Sequence, residues 1–371
     1  MTNLPSPLPL LTALVDPRKS ERIQLPWHDL WLVVLVGLLA APKNILDLVQ
    51  WIHDRAEMFE HDFGVARVPS QATLYRFFGW VDQQQAEQVL TSWVASLLDA
   101  SAATIDFSVA SVDGKYLSAT ARKRASWKPF LTCGAYLHQH AVPAVCSLAP
   151  DGNEVASAKR ALPALRSLGV ELLVADAGYT GHHFAQAVRD HDLEYLFALK
   201  NNHKKTLEHV MHLCEHRIDD QAEQTARRGG ETWTWTLSIT TTVPAEITRG
   251  FVGTKALVKL VRLVTRHDGQ ERQEVAYALT SSSRSAAELL AAWRGHWGIE
   301  NRVHWVRDTV FREDQCRARQ AGPVLAVLRS FVLVVAQQCN ESALRFTRRF
   351  AAQPATRFAA LGWSPNPLPS S

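Results

Sequence analysis

Apolar positions between residues 27 and 100 recur every three or four residues, the spacing of one face of a helix. "WHDLWLVVLVGLLAAPKNILDLVQWIHDRAEMF" reads as helix with a break near Pro42, because a proline ring cannot continue the hydrogen-bond ladder. "PSQATLYRFFGWV" starts a helix after Pro69 with Ser70 placed to cap it, and "QQQAEQVLTSWVASLLDA" is a further amphipathic run. The pattern then changes. "ATIDFSVASVDGK" reads as a strand ending in a turn, and "PFLTCGAYLHQHAVPAVCSLAPDGNEV" as two more closed by a Pro-Asp-Gly-Asn turn. "SAKRALPALRSLG" and "TGHHFAQAVRDHD" read as helices. They alternate with "VELLVADAGY" and "EYLFALKNN", short apolar runs suited to the inside of a sheet. Three strands, helix, strand, helix, strand predict a mixed sheet with helices on its faces. The Thr- and Val-rich stretch from 225 to 283, with a hairpin turn at Asp268–Gly269, predicts a small β insertion. Helix resumes at "SAAELLAAWRGHWGIENRVHW". The expected layout is a flexible Pro-rich arm (1–25), a helical domain (26–100), an α/β domain (101–345) with its β insertion, and a fraying tail (346–371).

Composition narrows the class. With 47% hydrophobic and 20% charged residues, the chain is globular rather than disordered. The net charge of +4 alone says little about partners, but basic residues cluster at Arg122, Lys123, Arg124 and Lys128, at Lys200, Lys204 and Lys205, from Arg302 to Arg319, and at Arg345, Arg348 and Arg349. Such patches can neutralise phosphates, or serve as solvated helix faces. Five cysteines, an odd number with no CxxC pair, argue against a disulfide framework or zinc knuckle and for a reducing, cytoplasmic setting. No signal-peptide pattern opens the chain. "LWLVVLVGLLAA" is shorter than the about 20 residues a bilayer span needs, and "VLAVLRSFVLVVA" is interrupted by Arg329. Both are expected as buried helices, with no membrane partner.

Three acids carry the candidate chemistry. Asp113 ends the strand signal "ASVDGK" and Asp176 ends "LLVADAGY". Sites in open α/β sheets form outside the carboxyl ends of strands, and Gly114 and Gly178 offer sharp turns beside each acid. Two such carboxylates repel, and a divalent cation relieves the repulsion. Magnesium binds through few carboxylates and keeps waters, leaving room for phosphate. Two metals about 3.5–4 Å apart can serve both the attacking and the leaving oxygen of a phosphodiester. Each aspartate taken alone reads first as a turn or cap residue, and only the pair on two strand ends shifts the balance. On the following helix, Trp293, His296, Glu300, His304 and Arg307 fall at spacings of 3, 4, 4 and 3, one face. His296, Glu300 and His304 stretch about 12 Å along the axis, too far for one zinc ion, and no HExxH occurs. Nor is there a GxSxG for serine chemistry.

"SVDGK", "LLVADAGYTGHHFAQAV" with "YLFALKNN", and "HWGIENRVHWVRDTVFREDQCRAR" resemble the three acidic motifs of DDE insertion-sequence transposases of the ISAs-one type. That type lies within the IS-four-like superfamily, whose relatives include the H-repeat-associated proteins. The likeness covers about residues 14 to 340. It implies a ribonuclease-H-like mixed-sheet core with a β insertion, preceded by an all-α associated domain. It also implies a catalytic, metal-binding triad of Asp113, Asp176 and Glu300 with Mg²⁺ or Mn²⁺, two ions. The superfamily signature Tyr-x2-Arg-x3-Glu-x6-Lys, laid on Glu300, falls on Trp293, His296 and Arg307. Together with Lys115 and Lys200, these are the expected DNA contacts. Asp308, Glu313 and Asp314 are expected in ion pairs with Arg312, Arg317 and Arg319. The implied partners are double-stranded DNA, as element terminal repeats and target, and a second copy of the chain in a homodimer on DNA. The implied location is the nucleoid. The rival readings are a ribonuclease-H-like nuclease without strand transfer and a non-catalytic DNA-binding relic.

Overall fold

The computed structural model describes residues 4–19, 23–100, 107–121, 128–149 and 152–365. The basic cluster at Arg122, Lys123 and Arg124 lies outside them. Six helices lead: α1 (Leu8–Thr12), α2 (Trp27–Leu39), α3 (Ile45–His53), α4 (Ala56–Phe63), α5 (Gln71–Trp80) and α6 (Gln83–Asp99). Asn44, Ser70 and Asp82 cap three of them by accepting the backbone N–H of Asp47, Thr73 and Gln85. α2 is buried from Leu30 to Leu39. Both chain ends, expected to be loose, are packed where described. Leu4, Leu8 and Leu11 are buried, as are Phe358, Leu361 and Trp363 around the helix Pro354–Ala360. The two ends meet: the Leu4 N–H donates to the Leu361 carbonyl, and the Trp363 indole donates to the Leu4 carbonyl at 2.8 Å. The prolines there interrupt apolar residues that still sit at helical spacing.

A nine-stranded sheet follows, in the order β3-β2-β1-β4-β5-β9-β8-β7-β6. β1 (Val109–Leu117), β2 (Phe130–Leu137) and β3 (Val142–Ala149) are antiparallel. After α7 (Glu154–Ser167), β4 (Leu172–Ala175) runs parallel to β1; after α8 (His182–Asp190), β5 (Glu194–Leu199) runs parallel to β4. This is the ribonuclease-H-like arrangement. Next come α9 (Lys204–His216), β6 (Asp220–Arg228), β7 (Glu231–Thr240), α10 (Ala245–Gly250), β8 (Ala256–Thr265) and β9 (Glu271–Thr280). β9 pairs with β5, so the insertion lengthens the core sheet. It begins at 220 rather than 225, because edge strand β6 is charged and mostly exposed and shows no apolar pattern.

The strands bury alternate residues on opposite faces. Val109, Leu172, Val174 and Leu196 pack under α11 (Ala286–Ile299). Ala110, Val112, Leu173, Ala175 and Phe197 belong to the larger core with α7, α8, the N-terminal helices and α13 (Gly322–Gln338). Between α11 and α13 lie a π-helical turn (Glu300–His304) and α12 (Trp305–Thr309). Among the described residues no single helix is long and apolar enough to cross a membrane.

Candidate active site

Ser111, Asp113 and Lys115 share one face of β1, the face that α11 covers. The parallel pairing of β1 with β4 stops at Val112–Ala175. Asp113 and Asp176 are therefore the next residues on two neighbouring parallel strands, whose axes lie about 4.8 Å apart. Asp113 itself is mid-strand, since β1 runs on to Leu117 in register with β2. The opening beside it comes from the end of β4. Gly114 makes no turn either; it pairs with Cys133, and a Cβ there would meet the Glu154 carboxyl at 2.5 Å. Gly178 does shape a turn, donating its N–H to Asp176 Oδ1 at 2.8 Å.

The helical segment crosses this ladder. His296 Nδ1 lies 3.0 Å from Ser111 Oγ, and His304 Nε2 lies 3.3 Å from Asp113 Oδ2. Lys115 Nζ donates to both Asp308 oxygens, at 2.6 and 2.8 Å. Glu300 stands exposed between His296 and His304 along the same stripe. A π turn holds more residues than an α turn and is often found at functional sites. Here it sets the downstream residues back in phase, so that Asp308, not Arg307, continues the stripe. The helix ends at Thr309, and Arg312 takes a left-handed φ of 48° just beyond it.

Several expected DNA contacts are engaged elsewhere. Arg307 is 1% exposed and donates to Cys146 Sγ, the Ala326 carbonyl and Ser330 Oγ, so it cannot meet phosphate. Lys115 is buried against Asp308, with Asp314 at 3.6 Å. His296 is desolvated: burial lowers its pKa against the pull of Asp113, Asp176 and Glu300, which leaves the ring neutral at pH 7. Ser111 Oγ also meets His138 Nε2 at 2.7 Å, and burial pushes the His138 pKa down to about 3, helped by His296. Trp293 is half-buried and packs against the core beneath α11. Lys200 is exposed at the end of β5, on the same side of the sheet as Asp176. Glu313 pairs not with a surface arginine but with buried Arg329, at 3.1 Å.

The acids fit a divalent cation. Among the described residues no Lys or Arg forms an ion pair with Asp113, Asp176 or Glu300, whereas Asp308, Glu313 and Asp314 all have one. Both ring nitrogens of His304 are buried without a hydrogen bond, one of them beside Asp113. No three acidic, His or Cys side chains among the described residues lie close enough together to hold a metal ion by themselves. That suits an ion held through one or two carboxylates, with waters and phosphate filling the rest.

Two features escaped the sequence. One is Glu154, which looks like an ordinary first-turn acid. The other is a cleft of about 400 Å³ between the β insertion and α11, lined by Arg228, Trp235, Arg262, Trp293, Arg294, Trp297 and Arg302. Arg294 stacks over Trp235 at 4.0 Å and Arg262 over Trp297 at 4.9 Å. Its residues come from β6, β7, β8 and the helix, and only the sheet assembles them.

Residues 97–325 match the family described as Transposase DDE domain, and residues 8–94 the family described as DDE_Tnp_1-associated. The chain is 22% identical over 356 residues to the transposase-designated protein YncI of Escherichia coli O157:H7, covering 91% of this chain and 89% of that one. It is 21% identical over 328 residues to the H repeat-associated, transposase-designated protein YhhI of Escherichia coli K12, covering 84% of each. A piggyBac transposase synaptic complex with hairpin DNA, solved by cryo-EM, is similar at TM-score 0.41 and 11% identity, over 98% of this chain and 84% of that one. At that level the strand order, not the likeness, carries the fold.

Proposed function

Because the chain belongs to the Transposase DDE domain family, we propose that it is a DNA transposase of the ISAs-one type, cleaving insertion-sequence ends and joining them to target DNA. The observation that carries this reading is the placement of Asp113 and Asp176 on adjacent parallel strands, with Glu300 on the helix that crosses them. These three would hold Mg²⁺ or Mn²⁺, two ions. When bound, the ions supply charge stabilisation to the attacking and leaving oxygens of an in-line displacement. End cleavage and strand transfer are both displacements at phosphorus, so one site serves both, by positioning and electrostatics.

The DNA contacts are reassigned from the stripe to the cleft beside it. Arg228, Arg294 and Arg302 neutralise phosphates, and Trp235 and Trp297 offer ring faces to bases. Lys200 adds a cation at the strand ends. On the helical domain, Lys19, Arg67 and Arg76 border a second basic cleft for the same duplex. Joining two ends requires two active sites, so the working form is a homodimer on double-stranded DNA, at the nucleoid.

The test supplies pre-cleaved element ends, a target plasmid and Mn²⁺. Joined products are expected. Nicked plasmid without joined ends would replace this reading with a nuclease. Binding without either product would leave a relic.

A further inference from the structure

Asp113 and Asp176 are held by different means. Asp113 is locked into the sheet, paired with Gly134 on β2. Asp176 is not. β4 has only four residues, and its pairing with β1 and with β5 stops at Ala175 on both sides. The sheet delivers the chain to Asp176 and then releases it, so this carboxylate is only as fixed as the turn that follows.

That turn is gripped from outside. The Thr180 hydroxyl donates to the Ala198 carbonyl of β5 at 2.6 Å. The single helical turn after β5, Asn201–His203, supplies two more donors. Asn202 Nδ2 donates to the Ala177 carbonyl and His203 Nε2 to the Thr180 carbonyl, each at 2.7 Å. A carbonyl only accepts, so His203 carries a proton on Nε2. Buried Phe251, from the loop between α10 and β8, braces the His203 ring edge-on with centroids 5.3 Å apart. Within the turn, the Gly178 N–H fixes Asp176 Oδ1 at 2.8 Å. Asn202 is exposed and adds nothing to the core; its side chain's hydrogen bond goes to this turn.

We propose that Asn202 and His203 are positioning residues for the reaction. By holding the Ala177 and Thr180 carbonyls, they fix the Asp176 carboxylate beside Asp113 where the sheet no longer reaches. The proposal rests on the metal-dependent reading above. The β insertion takes part, because Phe251 sets the His203 ring.

The experiment is Mn²⁺-dependent nicking by the full chain of DNA that carries the element's ends, with Mn²⁺ and DNA each varied in turn. Wild type is compared with Asp176→Asn, Asn202→Leu, His203→Leu and His203→Gln, and thermal melts set an assay temperature below every transition. Leu removes the donor, whereas a Gln amide can donate where His203 Nε2 does. Substituting a residue that orients a metal's ligand typically costs at least about tenfold. Asn202→Leu and His203→Leu are therefore expected to need about tenfold more Mn²⁺ for half-maximal nicking, with an unchanged KM for DNA. His203→Gln is expected to match wild type. A merely structural role would lower the melting temperature and leave the Mn²⁺ requirement of the folded protein unmoved. That result, with Asp176→Asn inactive, would overturn the assignment and leave the metal-dependent reading standing. Impairment of His203→Gln equal to that of His203→Leu would take the His203 hydrogen bond out of the account. Wild type without nicking would remove both the assignment and the reading beneath it.

Discussion

Arg294 and Arg302 stand on the same helical segment as Arg307, yet their surroundings are opposite. The first two line an open cleft with tryptophans. Arg307 lies in the interior, near a buried pair in which Arg329 donates to Glu313 at 3.1 Å and to the Lys43 carbonyl at 3.2 Å. Burial pushes the Glu313 carboxyl up, yet Arg307, Arg329 and Lys115 hold it below the ordinary range. A basic run in sequence is thus two structures in space. One half ties α12 and α13 to the sheet, and the other half faces solvent with its charge available. The phase of the helix, reset by the π turn, decides which cation does which.

That division can be broken most severely on the buried side. Glu313→Ala leaves Arg329 and Arg307 uncompensated in the interior and is expected to cost about 3–5 kcal/mol of stability in urea denaturation. The same variant, held folded at low temperature, should bind DNA with an unchanged salt slope. A reduced slope without lost stability would move this cluster to the DNA face.

Acid probes the buried imidazoles. The His138 pKa is about 3 in the folded chain and about 6.5 when unfolded. Its contribution is complete above 6.5, and the unfolded state gains the proton first as pH falls. Stability should therefore drop by about 2–3 kcal/mol between pH 7 and pH 4.5, and His138→Asn should flatten that part of the profile. An unchanged acid limb in the variant would show that His138 is not desolvated.

The exposed side gives the smallest effect on folding and a distinct one on binding. Arg228→Ala and Arg294→Ala should each change stability by less than about 1 kcal/mol, the size of an exposed cation–π contact. Each should also lower the slope of log K against log salt by about 0.9. An intact slope in both would remove the cleft from the DNA path.

Much of the scaffold was legible because its signals are local. The apolar run before Asp176 is β4, Ser70 caps α5, and Asp268–Gly269 turns the β8–β9 hairpin with Gly269 at a φ of +81°. The two strand signals that carry Asp113 and Asp176 were also readable, but the expected turn at Gly114 was not there: Asp113 lies mid-strand and only β4 ends at its acid. What failed depends on tertiary context. β6 has no apolar alternation because it is a mostly exposed edge strand. Arg307 and Lys115 look free in sequence, and only the packed fold shows Ser330 and Asp308 waiting for them. The constraint on Gly114 comes from a carboxylate 40 positions away in the chain.

The most direct measurement compares wild type with Glu300→Gln for Mn²⁺-dependent nicking of DNA that carries the element's ends, with binding followed in parallel. Loss of nicking with binding retained is the predicted result. Equal nicking by both proteins would take Glu300 out of the site and contradict the triad.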